Sequence, residues 1–258
     1  MPLFLITNDD GYNGPGLAAL YQALKPLGDV RVVAPAVCHS AKGHAVNTHT
    51  PIRVRRQVVE PFGEIEIVEA SPADCVRVGL FGPGAVRPDY VVAGINTGAN
   101  LGVDLFYSGT AAAAREAAIL SVPAIAVSRY MKQEFPVDWD TLSQHVQRVV
   151  ETLISDEFRL PAGEFWNVNF PAIENDAHDP EIVFTHQGTL SHDIRFRPLT
   201  STDEEGNNVT LLEYVGDYSQ RGQAGDCDVS SVFGRKVTAT PVDLCTTSHT
   251  RLNSVRQR

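Results

Sequence analysis

The 258-residue chain has little of what marks a membrane protein, a nucleic-acid binder or a disulfide scaffold. No apolar run approaches the roughly 18 residues that a membrane-spanning helix requires. The amino-terminal stretch meets Asp9 and Asp10 before it can form the apolar segment of a secretory leader. No membrane association is expected, and the chain reads as cytoplasmic. Basic residues are in deficit: 21 Lys and Arg against 31 Asp and Glu leave a formal charge of −10. Gripping a nucleic-acid polymer needs clustered cations, so that task is excluded, whereas a small anion held by a metal and backbone N–H groups is not. The four cysteines, Cys38, Cys75, Cys227 and Cys245, lie far apart and form no C-x-x-C pair. That argues against a zinc knuckle or redox dithiol and suits free thiols in a reducing compartment. Also missing are a P-loop, G-x-x-x-x-G-K-[ST], and a G-x-S-x-G nucleophile elbow. Gly11, Gly14 and Gly16 are in the wrong order for a dinucleotide fingerprint, and carboxylates stand where a pyrophosphate would approach.

What is present is a regular alternation. Residues 3–6, L-F-L-I, read as a buried strand that ends at Thr7-Asn8 and delivers Asp9 and Asp10. Leu17, Leu20, Leu24 and Leu27 have helical spacing, with Gly28 as a stop, and residues 30–34 read as a second strand. A β-α-β unit of this kind predicts a parallel pair with a right-handed crossover. Residues 36–50 form a polar loop with His39, His44 and His49. Strands are expected at 52–59 and 64–68. Ser71-Pro72-Ala73-Asp74 starts a helix that runs to about residue 81. A strand over 90–93 stops at the polar, glycine-rich stretch 94–102. An alanine-rich helix then begins at Ser108-Gly109-Thr110, and a strand follows over 124–127. Leu142, Val146, Val149, Val150 and Leu153 mark a further amphipathic helix, and 165–170 a further strand.

Residues 1–172 therefore predict an α/β fold with a Rossmann-like, doubly wound, mostly parallel sheet. Residues 173–258 change character. Runs at 194–199 and 209–215 flank Asp203-Glu204-Glu205-Gly206-Asn207 and read as a projecting β-hairpin. An isolated hairpin is marginal in water, so a partner is expected for its apolar face. Residues 217–228 read as a loop. Residues 236–244 read as a last strand packing back on the core, and the polar tail 246–258 as an irregular or exchanged segment that serves oligomerisation.

In open α/β sheets the carboxyl ends of the strands share one edge, where ligands bind. Three strand ends bring Asp9 and Asp10, then Ser40, then Asn96 and Asn100 to that edge, and the helix start at Ser108, Gly109 and Thr110 offers free N–H groups. Carboxylate, hydroxyl and amide oxygens suit a hard divalent ion, Mg²⁺ or Mn²⁺, one per subunit. A capped helix N-terminus suits a phosphate. Each piece has a plainer reading: an acidic turn, a loop serine, turn-forming asparagines, a helix cap. Their convergence favours phosphoryl chemistry, with Asp9 and Asp10 as the catalytic carboxylates. The three loop histidines fit no common zinc spacing.

The motifs resemble the SurE family, the survival-protein-E 5′-nucleotidases. They are Asn8-Asp9-Asp10-Gly11, the loop serine Ser40, S-P-A-D-C-V from Ser71, G-I-N-T-G-A-N-L-G from Gly94, Tyr107-Ser108-Gly109-Thr110 and P-A-I-A-V-S from Pro123. Weaker matches follow at W-N-V-N-F-P from Trp166 and V-T-A-T-P-V from Val237. The resemblance implies metal ligation by Asp9, Asp10, Ser40 and Asn96, and phosphate binding by Asn100, Ser108, Gly109 and Thr110. It implies hydrolysis of nucleoside 5′- and 3′-monophosphates, in some members also of short polyphosphate, by homodimers or homotetramers. Ala41-Lys42-Gly43-His44 is bulkier and more basic than the small, Gly-rich stretch many members carry after the loop serine, which makes Lys42 and His44 candidates for contact with the phosphate or the leaving oxygen. Ala99 stands where proline is common, and the carboxyl-terminal third matches poorly. A nucleotide-binding regulator without turnover is the alternative reading.

Overall fold

The computed structural model describes residues 1–172, 179–202 and 205–256. The expected domain boundary at 172/173, the hairpin residues Asp203 and Glu204, and the last two residues of the tail touch or lie outside that set.

The central strand is Leu3–Thr7 (β1). Phe4 and Ile6 face one side and Leu5 the other, all essentially without solvent exposure. A strand covered on both faces must be apolar at every position, which is why L-F-L-I shows no alternation. Pro15–Leu24 (α1) leads to Asp29–Pro35 (β2), parallel to β1. Val54–Val59 (β3) and Gly63–Val68 (β4) form an antiparallel pair whose second strand lies parallel to β2. Pro72–Phe81 (α2) carries the expected capping box between Ser71 and Asp74. The chain then crosses to the other side of β1 as Tyr90–Thr97 (β5), parallel to it. Gly109–Ile119 (α3), Ala124–Arg129 (β6), Trp139–Leu153 (α4) and Glu164–Phe170 (β7) continue the parallel winding. The sheet order is β3-β4-β2-β1-β5-β6-β7, extended by Val237–Asp243 (β11), antiparallel to β7, and Ile182–Phe184 (β8). The α/β fold with a mostly parallel, doubly wound sheet is the one expected.

Two apolar layers flank the sheet. Leu17, Leu20 and Leu24 of α1 join Val146, Val149 and Val150 of α4 on one face. On the other, Ala111, Ala113, Ala114 and Ala117 of α3 meet Cys75 and Val76 of α2. The alanine run lets α3 approach closely, because methyl side chains keep neither helix nor sheet at a distance.

Phe196–Thr202 (β9) and Asn208–Tyr214 (β10) form a two-stranded antiparallel sheet of their own, with mostly exposed side chains. Asp228–Phe233 (α5) and His249–Arg256 (α6) complete the chain. No helix among the described residues is long and apolar enough to cross a membrane.

Four elements depart from the expectations. β5 does not stop at Gly94 but pairs on to Asn96 and Thr97 after an irregularity in register. Gly94, read as a turn residue, sits inside the strand at φ +140°, where an added Cβ would lie 2.3 Å from the Val127 carbonyl oxygen. Glycine here permits close approach of backbones rather than a chain reversal. β8 is too short to show periodicity. α5 and α6 fall in stretches without clear amphipathic spacing, and α5 forms where Val229 and Val232 are buried against the core.

Gly16, in the first turn of α1, gives a direct check on the packing of helix against sheet. In an ordinary helix, alanine would be stabilising by about 1 kcal/mol. Here its Cβ would sit 1.9 Å from the Ile95 carbonyl oxygen, so we expect Gly16→Ala to lower the unfolding free energy by roughly 1–3 kcal/mol. Urea titration showing equal or greater stability would contradict this packing.

Candidate active site

The strand order reverses about the β1–β5 pair, and the crevice beyond their carboxyl ends holds the predicted residues. Asp9, Asp10, Ser40, Asn96, Asn100 and Ser108 line one cleft of about 580 Å³. The structure thus brings together every proposed metal ligand and two of the proposed phosphate contacts.

Asp9 is 4% exposed. Its Oδ1 accepts a hydrogen bond from the Thr110 hydroxyl at 2.5 Å, and its carbonyl accepts from the His39 N–H at 2.7 Å. Burial pushes its carboxyl above the usual range and the neighbouring Asp10 charge adds to the rise, while the bonds from Thr110 and the Gly109 N–H oppose them. A carboxyl raised in the folded state costs stability as pH climbs from the ordinary carboxylate range through that raised value. Bound cations would remove this penalty. Among the described residues neither Asp9 nor Asp10 pairs with a lysine, arginine or histidine.

α3 starts against this carboxylate. A Cβ on Gly109 would lie 2.8 Å from Asp9 Cβ, so only glycine allows the helix N-terminus so close. Ser108 caps the helix, its Oγ accepting from the Ala111 N–H at 2.9 Å. That leaves the hydroxyl proton of Ser108 for another acceptor. The Asp10 carboxylate accepts from the Thr97 hydroxyl at 3.0 Å, and Asn96 Nδ2 donates to the Gly98 carbonyl at 2.6 Å. These bonds aim both side chains from opposite sides of the crevice.

Asn100 is buried in an asparagine cluster. Its N–H donates to Asn169 Oδ1 at 2.8 Å, its Nδ2 donates to Ser128 Oγ at 2.7 Å, and its carbonyl accepts from Asn167 and Asn169. The loop between β5 and α3 is thereby bolted to the end of β7. Asn167 and Asn169 carry a signal that sequence alone offers: two amides at i and i+2 in an apolar strand must share a face and find partners there.

Lys42 and His44 do not line the cleft. Lys42 is exposed, and after burial it is the next cause holding the His39 pKa down. His44 Nε2 lies 2.7 Å from Glu116, which also accepts from Arg77 at 2.6 Å. Burial works to raise Glu116, but the bonds from His44 and Arg77 outweigh it and hold its carboxyl below the usual range. The Ser71 hydroxyl donates to Ala45 O, and the Gly43 N–H donates to Tyr107 O. The loop bearing Ser40 is therefore fixed against α2 and α3, and His44 is one of its anchors.

The site also includes residues the motifs did not single out. Asp104 lies on a short 3-10 turn, Gly102–Phe106, just before Ser108. It joins His192 Nε2 at 2.5 Å and accepts from the Tyr218 hydroxyl at 2.6 Å and from the buried Arg221 at 2.5 Å. Burial and the Asp104 charge push the Tyr218 hydroxyl far up, so it acts as a donor. No local pattern announces this cluster, because its members are separated by about a hundred residues of chain.

The donor chemistry fits a hard cation. Two carboxylates project into the crevice with neutral hydroxyl and amide oxygens around them, and no three His, Cys, Asp or Glu side chains among the described residues form a softer or more acidic cluster.

Comparison with known proteins points to one family. A family model described as Survival protein SurE matches residues 4–193, ending at the root of the hairpin. The 5′-nucleotidase SurE of Pelobacter propionicus is 43% identical over 251 residues, covering 97% of each chain. That of Geotalea daltonii is 38% identical over 246 residues, covering 95% of this chain and 94% of its own. A crystal structure of the SurE protein from Aquifex aeolicus superposes with a TM-score of 0.80 at 30% identity, covering 99% of both chains. On the family match and on relatives of this identity and coverage, the chain belongs to the SurE family.

Proposed function

We propose that the chain is a metal-dependent phosphomonoesterase that hydrolyses nucleoside 5′-monophosphates to nucleoside and phosphate. Nucleoside 3′-monophosphates and short polyphosphate are secondary substrates in this reading. The Pelobacter propionicus and Geotalea daltonii relatives are named as 5′-nucleotidases. The observation that carries the proposal is the buried Asp9 carboxylate, pressed against the N-terminus of α3 and beside Asp10, with no lysine, arginine or histidine among the described residues paired to either.

Asp9, Asp10, Ser40 and Asn96 would hold one Mg²⁺ or Mn²⁺. When bound, such an ion polarises a phosphoryl oxygen and offsets the charge that develops on it. The remaining work falls to the chain. The substrate phosphate sits at the start of α3, where the helix dipole favours an anion. Ser108, already capping the helix through its lone pair, donates its hydroxyl proton to a phosphate oxygen. Asn100, locked by Asn169 and Ser128, sets the wall on the opposite side. Asp9 orients the attacking water in line with the ribose oxygen and takes its proton. The P–O bond to the ribose then breaks, the ribose oxygen takes up a proton from solvent water, Asp9 returns its own proton to solvent, and the attacking water has supplied the fourth oxygen of the released phosphate.

The same reading includes a homodimer or homotetramer. Leu199, Leu211 and Leu212 on the hairpin are 43%, 51% and 63% exposed, and a second copy would cover them. The free thiols Cys38, Cys75, Cys227 and Cys245 support a reducing, cytoplasmic setting.

Two experiments test the site. Mn²⁺ alone should raise the melting temperature of the wild-type protein, with EDTA reversing the shift, because a ligand of the native state must stabilise it. Asp9→Asn should lose that shift, and its phosphate release from adenosine 5′-monophosphate should fall at least about a hundredfold. A full metal response with near-normal turnover in Asp9→Asn would remove Asp9 from the ligand set. The second experiment separates the two roles of Ser108. Ser108→Asp keeps a good helix cap but puts a negative charge where the phosphate binds. We expect the variant to fold with an unfolding midpoint lowered by the third carboxylate beside Asp9 and Asp10 and recovered by Mn²⁺, and to show little nucleotide hydrolysis. Wild-type KM and kcat in this variant would place the phosphate elsewhere.

A further inference from the structure

We infer that the aromatic wall at the root of the hairpin, Phe196 and Tyr214, is the nucleobase-stacking surface of this site. The inference rests on the nucleotidase reading and extends it: it assigns base recognition to an element outside the Rossmann-like core.

The cleft has two unlike halves. Its floor is polar, formed by Asp9, Asp10, Asn96 and Ser108, whereas its outer wall includes Ile194, Phe196, Tyr214 and Tyr218. At about 580 Å³ it is far larger than a phosphate needs and falls in the range that accepts a ligand of nucleotide size. Phe196 and Tyr214 face each other in the first pair of the hairpin, their rings 5.7 Å apart at 74°. They are 55% and 52% exposed, so the rings are offered to the cleft rather than spent on the core. Aromatic faces at the mouth of a phosphate site suit a flat heterocycle, and stacking of this kind tolerates any base.

The wall is also held in place before any ligand arrives. The Tyr214 hydroxyl donates to the Asp193 carbonyl at 3.0 Å, and the Asp217 N–H donates to the Asp193 carboxylate at 3.0 Å. Arg195 clamps the same carboxylate. One residue earlier, His192 is tied to Asp104, as is Tyr218, with the Arg221 guanidinium 4.7 Å from the Tyr218 ring. Asp104 sits in the turn that runs straight into Ser108. The hairpin root and the phosphate end therefore share one anchor, which fixes the spacing between a stacked base and a phosphate on α3. A surface used only to contact a second copy would not need to be tied to the phosphate loop.

The test compares adenosine 5′-monophosphate with ribose 5-phosphate, which presents the same leaving oxygen and lacks the base. The wild-type protein should prefer the nucleotide in kcat/KM. Phe196→Ala and Tyr214→Ala should each shrink that preference roughly tenfold, chiefly through KM for the nucleotide, with the molar mass by light scattering unchanged. Tyr214→Phe, which keeps the ring and loses only the bond to Asp193, should retain most of the preference. An unchanged preference in both alanine variants would overturn the inference. So would a parallel loss on both substrates with an altered molar mass, which would assign the wall to subunit contact. Equal use of the two substrates by the wild-type protein would defeat the stacking surface alone, whereas no phosphate release from either would defeat the nucleotidase reading itself.

Discussion

Everything at the ligand edge of this sheet is arranged around one unfavourable contact, two adjacent carboxylates of which one is buried. Asp9 is nearly inaccessible, its charge opposed by burial and by Asp10, and eased by the Thr110 hydroxyl and the backbone N–H groups of Asp9 and Gly109. A free chain gains nothing from such an arrangement. Replacing the pair with neutral residues would relieve the strain, so the carboxylates make physical sense as half of a cation's shell. The approach of α3 has the same logic. A helix N-terminus against a carboxylate lowers the cost of the negative charge, and the glycine that permits the contact brings the positive end of the helix dipole to this edge.

Most of this was legible in the sequence because it is local. L-F-L-I followed by Asp9-Asp10 declares a buried strand and its end. Ser71 to Asp74 declares a capped helix, and Ser108 before an alanine run declares another, all of which the structure contains. Topology supplied the convergence, since parallel strands share an edge. Asn100 could be named from its motif, but its grip by Asn167 and Asn169 depends on which strand lies beside β6, a fact of pairing and not of pattern. Gly94 misled for a related reason: the close approach of Val127 is a property of the neighbouring strand. His44 looked like a substrate contact because it follows Ser40 closely. The loop's path instead carries it to Glu116, where its effect on Ser40 is indirect.

The least legible part is the cluster around Asp104. Its partners His192, Tyr218 and Arg221 come from the region where the family model ends and just beyond it. A buried arginine paired with a carboxylate is weak evidence for stability, since desolvation offsets the attraction. Its value here is positional: it ties the carboxyl-terminal third of the chain to the turn that starts α3. The hairpin is thereby coupled to the α3 end of the cleft, although its strands form a separate sheet.

The central claim, that the strand ends form one metal shell at the β1–β5 crevice, is tested most directly by anomalous scattering from crystals grown with Mn²⁺. The account predicts a single strong peak per chain, bounded by the Asp9 and Asp10 carboxylates at about 2.0–2.3 Å, with Ser40 and Asn96 oxygens completing the protein's share. A peak elsewhere, or a shell that excludes Asp9, would contradict it.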